Sequence, residues 1–140
     1  MHKKTIQTSH NLMAKTEKVW ATISKASGVN DWLPIITSCH LEGNGEGSKR
    51  ICTTAQGHML ETILKIDGEH KVFQYAIDEQ PLLPIQNVVG TMKVISKDEG
   101  TELLWDLDFE IADESQFPMV KQAIEGMYQA GANGLEKISQ

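Results

Sequence analysis

Six short β-prone segments in succession, joined by turns too short to hold a crossover, constrain this chain more than any other feature. They cover residues 35–42, 48–55, 58–66, 71–77, 85–95 and 101–111. Between them stand Gly43-Asn44-Gly45-Glu46-Gly47, Gln56-Gly57, Asp67-Gly68-Glu69-His70, residues 78–84, and Ser96-Lys97-Asp98-Glu99-Gly100. A parallel pair needs a crossover of about a dozen residues or more, so neighbours joined this tightly pair antiparallel, as a meander. The last segment has the plainest pattern. Trp105, Leu107, Phe109 and Ile111 point one way, and Asp106, Asp108 and Glu110 the other. One face of the sheet is wet and the other is covered.

The cover comes from the end of the chain, residues 113–140. Asp113-Glu114-Ser115 suits a helix start, and Pro118 is tolerated in a first turn. Behind them Phe117, Val120, Ile124, Met127, Gly131, Leu135 and Ile138 recur at helical spacing and define one apolar stripe. Gly126, Gly131 and Gly134 each cost about 1 kcal/mol against Ala in a helix interior. Either a neighbour packs closely there, or room is left for something that is not protein. Ahead of the meander, residues 5–12 alternate as a first strand. Thr16 reads as the N-cap of a short helix carrying Val19, Trp20 and Ile23. Ser27-Gly28 breaks that helix, and a second short one with Val29, Asp31 and Trp32 ends at Pro34. The predicted class is α+β, a strongly curved seven-stranded antiparallel sheet wrapped round one long C-terminal helix, with two short helices after the first strand.

At 140 residues, 1–140 is one domain with a core of its own. A net charge of −6 without a basic cluster beyond His2-Lys3-Lys4 argues against nucleic acid as a partner. No apolar run approaches the roughly 20 residues of a membrane span, and no signal peptide is visible, so a cytoplasmic location is expected. Cys39 and Cys52 lack zinc-ligand spacing, and His10, His40, His58 and His70 lie on separate strands and turns. Neither a metal nor a cofactor is predicted. About the Gly-rich turn, Cys39 and Cys52 fall opposite one another, and two buried thiols are expected.

The order of elements, together with several local pieces, resembles the START/Bet v 1-like (SRPBCC) superfamily, whose architecture is the helix-grip fold. Its polyketide cyclase/dehydrase-type branch is the nearest in kind. The pieces are Val19-Trp20-Ala21-Thr22-Ile23, Trp32-Leu33-Pro34, Gly45-Glu46-Gly47 before Arg50, Glu61-Thr62-Ile63-Leu64, Leu83-Pro84, and Trp105 with Phe109. The resemblance implies a long cavity between sheet and helix that binds lipids, hormones or polyketides, or cyclises them. With the Trp105 face concave, it turns inward Ile35, Thr37, Cys39 and Leu41, then Arg50, Cys52 and Thr54, then Met59, Glu61 and Ile63. Phe73, Tyr75 and Ile77 follow, then Val88, Gly90, Met92 and Val94. The ligand-binding residues it implies are Thr37, Arg50, Cys52, Glu61, Ile63, Phe73, Tyr75, Val88, Gly90, Met92, Trp105, Leu107, Met127 and Gly131.

Glu61 is the most informative of these. Inside an apolar cavity a carboxylate must be paired, hydrated or protonated, and Arg50 is its available partner. The loop of residues 78–84, with Leu82 and Leu83 between two prolines, is placed to cap the cavity mouth. Three classes of function stay open. The first is binding, with transport, of a hydrophobic small molecule such as a lipid or polyketide-like compound. The second is a cyclase/dehydrase-type enzyme using Glu61 as acid/base, and the third a protein-interaction module with a collapsed cavity. The sequence names no protein partner. The first class predicts a cavity of at least ~300 Å³, the low end for ligand pockets.

Overall fold

Leu103, Trp105, Leu107, Phe109 and Ile111 are all buried, while Asp108 is exposed and Asp106 and Glu110 only partly covered. That alternation fixes which face of the sheet holds the core. In the computed structural model, which describes residues 1–140, β1 (His2–Leu12) leads into α1 (Thr16–Ser24) and a single 3-10 turn (Val29–Asp31). Then follow β2 (Ser38–Glu42), β3 (Lys49–Thr54), β4 (Gly57–Asp67), β5 (Val72–Glu79), β6 (Ile85–Ser96) and β7 (Thr101–Ile111). The chain ends in α2 (Phe117–Ile138).

The seven strands form one antiparallel sheet in the order β1-β7-β6-β5-β4-β3-β2. The meander from β2 to β7 is as the short turns require, and β1 returns to pair with β7 from His2↔Ile111 to Leu12↔Thr101. Three register shifts, two in the β4–β5 ladder at Leu60/Glu61 and Ile63/Lys65 and one in β6 between Gln86 and Val89, mark bulges or irregularities. Asn87 takes φ 53° at the last. Bulges bend a strand and raise its twist, which helps this sheet curl around α2. Val120, Ile124, Tyr128, Ala132 and Leu135 of α2 join the inner face of the sheet in one core.

Local chemistry explains where boundaries differ from expectation. The second of the two predicted short helices is only a 3-10 turn, confined between Gly28 at φ 70° and the residues before Pro34. Thr16 is not the cap of α1. It is buried in the first turn, and its hydroxyl bonds that of Thr101 at 3.0 Å. Asp113 does cap, but it caps the 3-10 turn Glu114–Gln116, accepting from the Ser115 amide at 3.0 Å. β2 begins at Ser38 rather than at residue 35, because the Ile36 amide is spent on the Leu33 carbonyl in a turn. On α2 the stripe runs through Tyr128 and Ala132, and Ile138 lies exposed at its end.

Candidate functional site

The inner faces of β3, β4 and β5 meet the end of α1 and the 3-10 turn that follows it, and there the core is incompletely filled. A cavity of about 80 Å³ is lined by 23 residues, 20 of them hydrophobic. Its polar members are Arg50, Glu61 and Gln80. The volume falls well short of ~300 Å³, the low end for ligand pockets, so the expected larger cavity is not present in this conformation. The reason is aromatic filling. Trp105 stacks on Tyr128 with ring centroids 3.8 Å apart and planes 8° from parallel. Trp32 tilts against Trp105 at 5.8 Å, and the Trp105 indole N–H donates to the Tyr75 hydroxyl at 3.0 Å.

Arg50 and Glu61 are directly opposite across β3 and β4. The Arg50 Nε donates to Glu61 Oε1 at 2.6 Å, and Nη1 donates to the Ala26 carbonyl at 2.9 Å. Ala26 is held at φ 63°, an uncommon conformation for a residue with a side chain, in the segment between α1 and the 3-10 turn. The guanidinium also lies 5.3 Å from the Tyr75 ring centroid and 5.7 Å from that of Phe73, a cation–π arrangement in a site away from water. Both partners are about 5% exposed. Burial pushes the Glu61 carboxyl above its ordinary range, against the opposing charge and hydrogen bond of Arg50. Burial alone would lower Arg50, but the charge and hydrogen bond of Glu61, together with smaller contributions from Cys52 and Tyr75, leave the guanidinium above its usual value. Burial likewise raises both Tyr75 and Tyr128, Tyr128 further.

The sequence-derived site residues divide in two. Arg50, Cys52, Glu61, Phe73 and Tyr75 line the cavity, as do Met92, Trp105, Leu107 and Met127. Thr37 does not. It is exposed, and its hydroxyl donates to the Thr53 carbonyl at 3.2 Å, since the inward register on β2 starts only after Ser38. Ile63 and Val88 are buried in the core without reaching the cavity. Gly90 and Gly131 are likewise absent from its wall, for a steric reason. A Cβ on Gly90 would fall 2.3 Å from Tyr75 Cζ, and one on Gly131 would fall 2.9 Å from the Trp105 ring. The space beside each glycine is taken by an aromatic side chain rather than left for a ligand.

Sequence reasoning missed Trp32, Tyr128 and Gln80. Tyr128 sits one turn beyond Ile124 on the same helical face, so the spacing held the signal. Gln80 closes the β5–β6 loop on itself. Its Oε1 accepts from the Leu82 and Leu83 amides at 2.8 Å each, and its Nε2 donates to the Leu83 carbonyl at 2.7 Å. Leu82 and Leu83 thereby turn onto the cavity, as the loop's composition suggested. None of the histidines lines it, and no group of three His, Cys, Asp or Glu could hold a metal ion. No helix is long and apolar enough to cross a membrane.

The family described as polyketide cyclase/dehydrase and lipid transport matches residues 3–140. The chain belongs to that family. Its fold is the START/Bet v 1-like helix grip, a hydrophobic ligand-binding fold. A structure from Nitrosospira multiformis is similar at 22% identity and TM-score 0.81, covering 98% of this chain and 97% of that one. One from Bacillus thuringiensis is 24% identical with TM-score 0.82, covering 96% and 98%. Norcoclaurine synthase from Thalictrum flavum, in complex with dopamine and hydroxybenzaldehyde, is 17% identical with TM-score 0.79, covering 98% and 86%. At these identities the likeness speaks for the fold alone. A search of curated proteins finds no match to the sequence.

Proposed function

We propose that this family member binds a small, largely apolar molecule whose polar end meets the Arg50–Glu61 pair. The observation that carries this reading is a buried ion pair on the wall of a largely apolar cavity. A buried ion pair recovers its desolvation cost only when its remaining hydrogen-bonding capacity is met. Two hydrogen bonds from Arg50 are accounted for within the chain, to Glu61 and Ala26, and a guanidinium carries five N–H groups. A ligand carbonyl, enol or carboxylate oxygen suits what is left.

The cavity is small, so binding requires its lining to give. Met59, Met92 and Met127 are the flexible part of that lining, and the Leu82–Leu83 loop is held mainly by one glutamine side chain. Binding is favoured over acid/base catalysis by Glu61, because that carboxylate is already committed to Arg50. Titration with the apolar fluorescent probe ANS tests the reading. Saturable binding at one site, with quenching of Trp32 and Trp105 emission and a raised melting temperature, is the expected result. A native chain that neither binds the probe nor gains stability from it would sink the proposal in favour of an interaction module.

A further inference from the structure

Cys39 and Cys52 face each other across β2 and β3, their sulfurs 2.6 Å apart, and neither is in a disulfide. Their surroundings differ. Cys39 is half-buried on β2, the last strand in the sheet order, whereas Cys52 is 1% exposed and forms part of the cavity wall. One thiol is therefore within reach of a dissolved reactant, and the other is shielded from bulk solvent. We propose that the pair is a thiol–disulfide exchange site for low-molecular-weight disulfides, with Cys39 as the attacking thiol and Cys52 as the resolving one.

The electrostatics run in the same direction. A hydrogen bond from Cys52 lowers Cys39, and the Arg50 charge adds to that effect. Donating that bond, together with burial, pushes Cys52 up. The thiolate is the nucleophile in exchange, so the accessible sulfur is also the reactive one. In the first step the Cys39 thiolate attacks one sulfur of the small disulfide. A mixed disulfide forms at Cys39, the small S–S bond breaks, and one small thiol leaves with a proton from solvent. In the second step Cys52 gives up its proton to solvent and attacks Cys39 Sγ, expelling the second small thiol. Two protein thiols are thus oxidised by two electrons, and the small disulfide is reduced to two thiols. The product joins two residues already opposite one another, so closure needs no change of register.

The test uses the reduced full chain with glutathione disulfide, quenched by alkylation and read by mass spectrometry. Wild type should lose two hydrogens, keep no glutathionyl group at the end point, and leave neither cysteine open to alkylation. Cys52→Ala should stop at one glutathionyl group on Cys39. In Cys39→Ala, Cys52 should react at least about tenfold more slowly than the wild-type pair, because a buried thiol is poorly reached and poorly ionised. If either variant fails to fold, the wild-type time course decides, since a transient adduct on Cys39 must precede closure. Wild type that stops at the mixed disulfide, dimerises through an intermolecular bond, or is first modified at Cys52 overturns the proposal.

Discussion

Trp105 on β7 and Tyr128 on α2 lie face to face, centroids 3.8 Å apart, and this contact joins the middle of that strand to the middle of the helix. It also occupies space that a larger ligand would need. Both side chains are nearly inaccessible, at 2% and 6%, so the stack contributes about 0.5–1.5 kcal/mol beyond its buried area.

Tyr128→Ala should therefore cost about 3–5 kcal/mol, the usual loss for removing a buried aromatic ring. It should also enlarge the cavity. Denaturant unfolding should report the first effect, and tighter binding of ANS to the native state the second. Tyr128→Phe keeps the stack and should leave both within about 1 kcal/mol of wild type.

The glycines of α2 give a matched pair of opposite sign. A Cβ at Gly126 would meet nothing within 4 Å, so Gly126→Ala should stabilise the chain by about 0.8–1 kcal/mol through helix propensity alone. A Cβ at Gly134 would fall 1.9 Å from the Trp32 carbonyl oxygen, which is backbone and cannot swing aside. Gly134→Ala should destabilise despite the same propensity gain, because α2 must move off the 3-10 turn. Thermal melts of the two variants check the sign of each.

These residues also show what the sequence made legible. The alternation of Trp105, Leu107 and Phe109 and the short turns determine the meander, and the pairing of Arg50 with Glu61 follows from it. What was not legible is how the interior is filled. A small residue on an inner face reads as open space, yet Gly90 makes room for Tyr75 and Gly131 for Trp105. Whether a glycine gives space to a ligand or to an aromatic ring depends on a side chain distant in sequence. Thr37 failed for a different reason, since parity arguments hold only inside a strand and β2 starts one residue later.

Removing one member of the Arg50–Glu61 pair should be worse than removing both. Glu61→Gln leaves the guanidinium buried beside an amide, and breaking a buried pair in this way costs about 3–5 kcal/mol. Arg50→Met with Glu61→Leu replaces the pair by apolar side chains and should recover most of that loss. If the pair also holds a ligand, the double variant should fold well and lose about 1–3 kcal/mol of binding. Stability and affinity measured on the same proteins separate the two roles.

His10 should give the fold a dependence on mild acid. It is 7% exposed on β1, with Nε2 2.9 Å from the Thr8 hydroxyl and Nδ1 without a partner. Burial lowers it below its ordinary value of 6.5, with the neighbouring Gln129 side chain opposing in part. The charged imidazolium is therefore tolerated better in the unfolded chain than in the folded one. Above about 6.5 both states hold it neutral and its contribution to stability is intact. As pH falls below that value the unfolded chain takes up the proton first, and stability drops until the folded-state value is passed. Melting temperatures measured from pH 7.5 to 5 should decline for wild type, and the decline should be shallower in His10→Gln, which cannot be protonated there. An identical slope in the two proteins would assign the acid sensitivity to other groups.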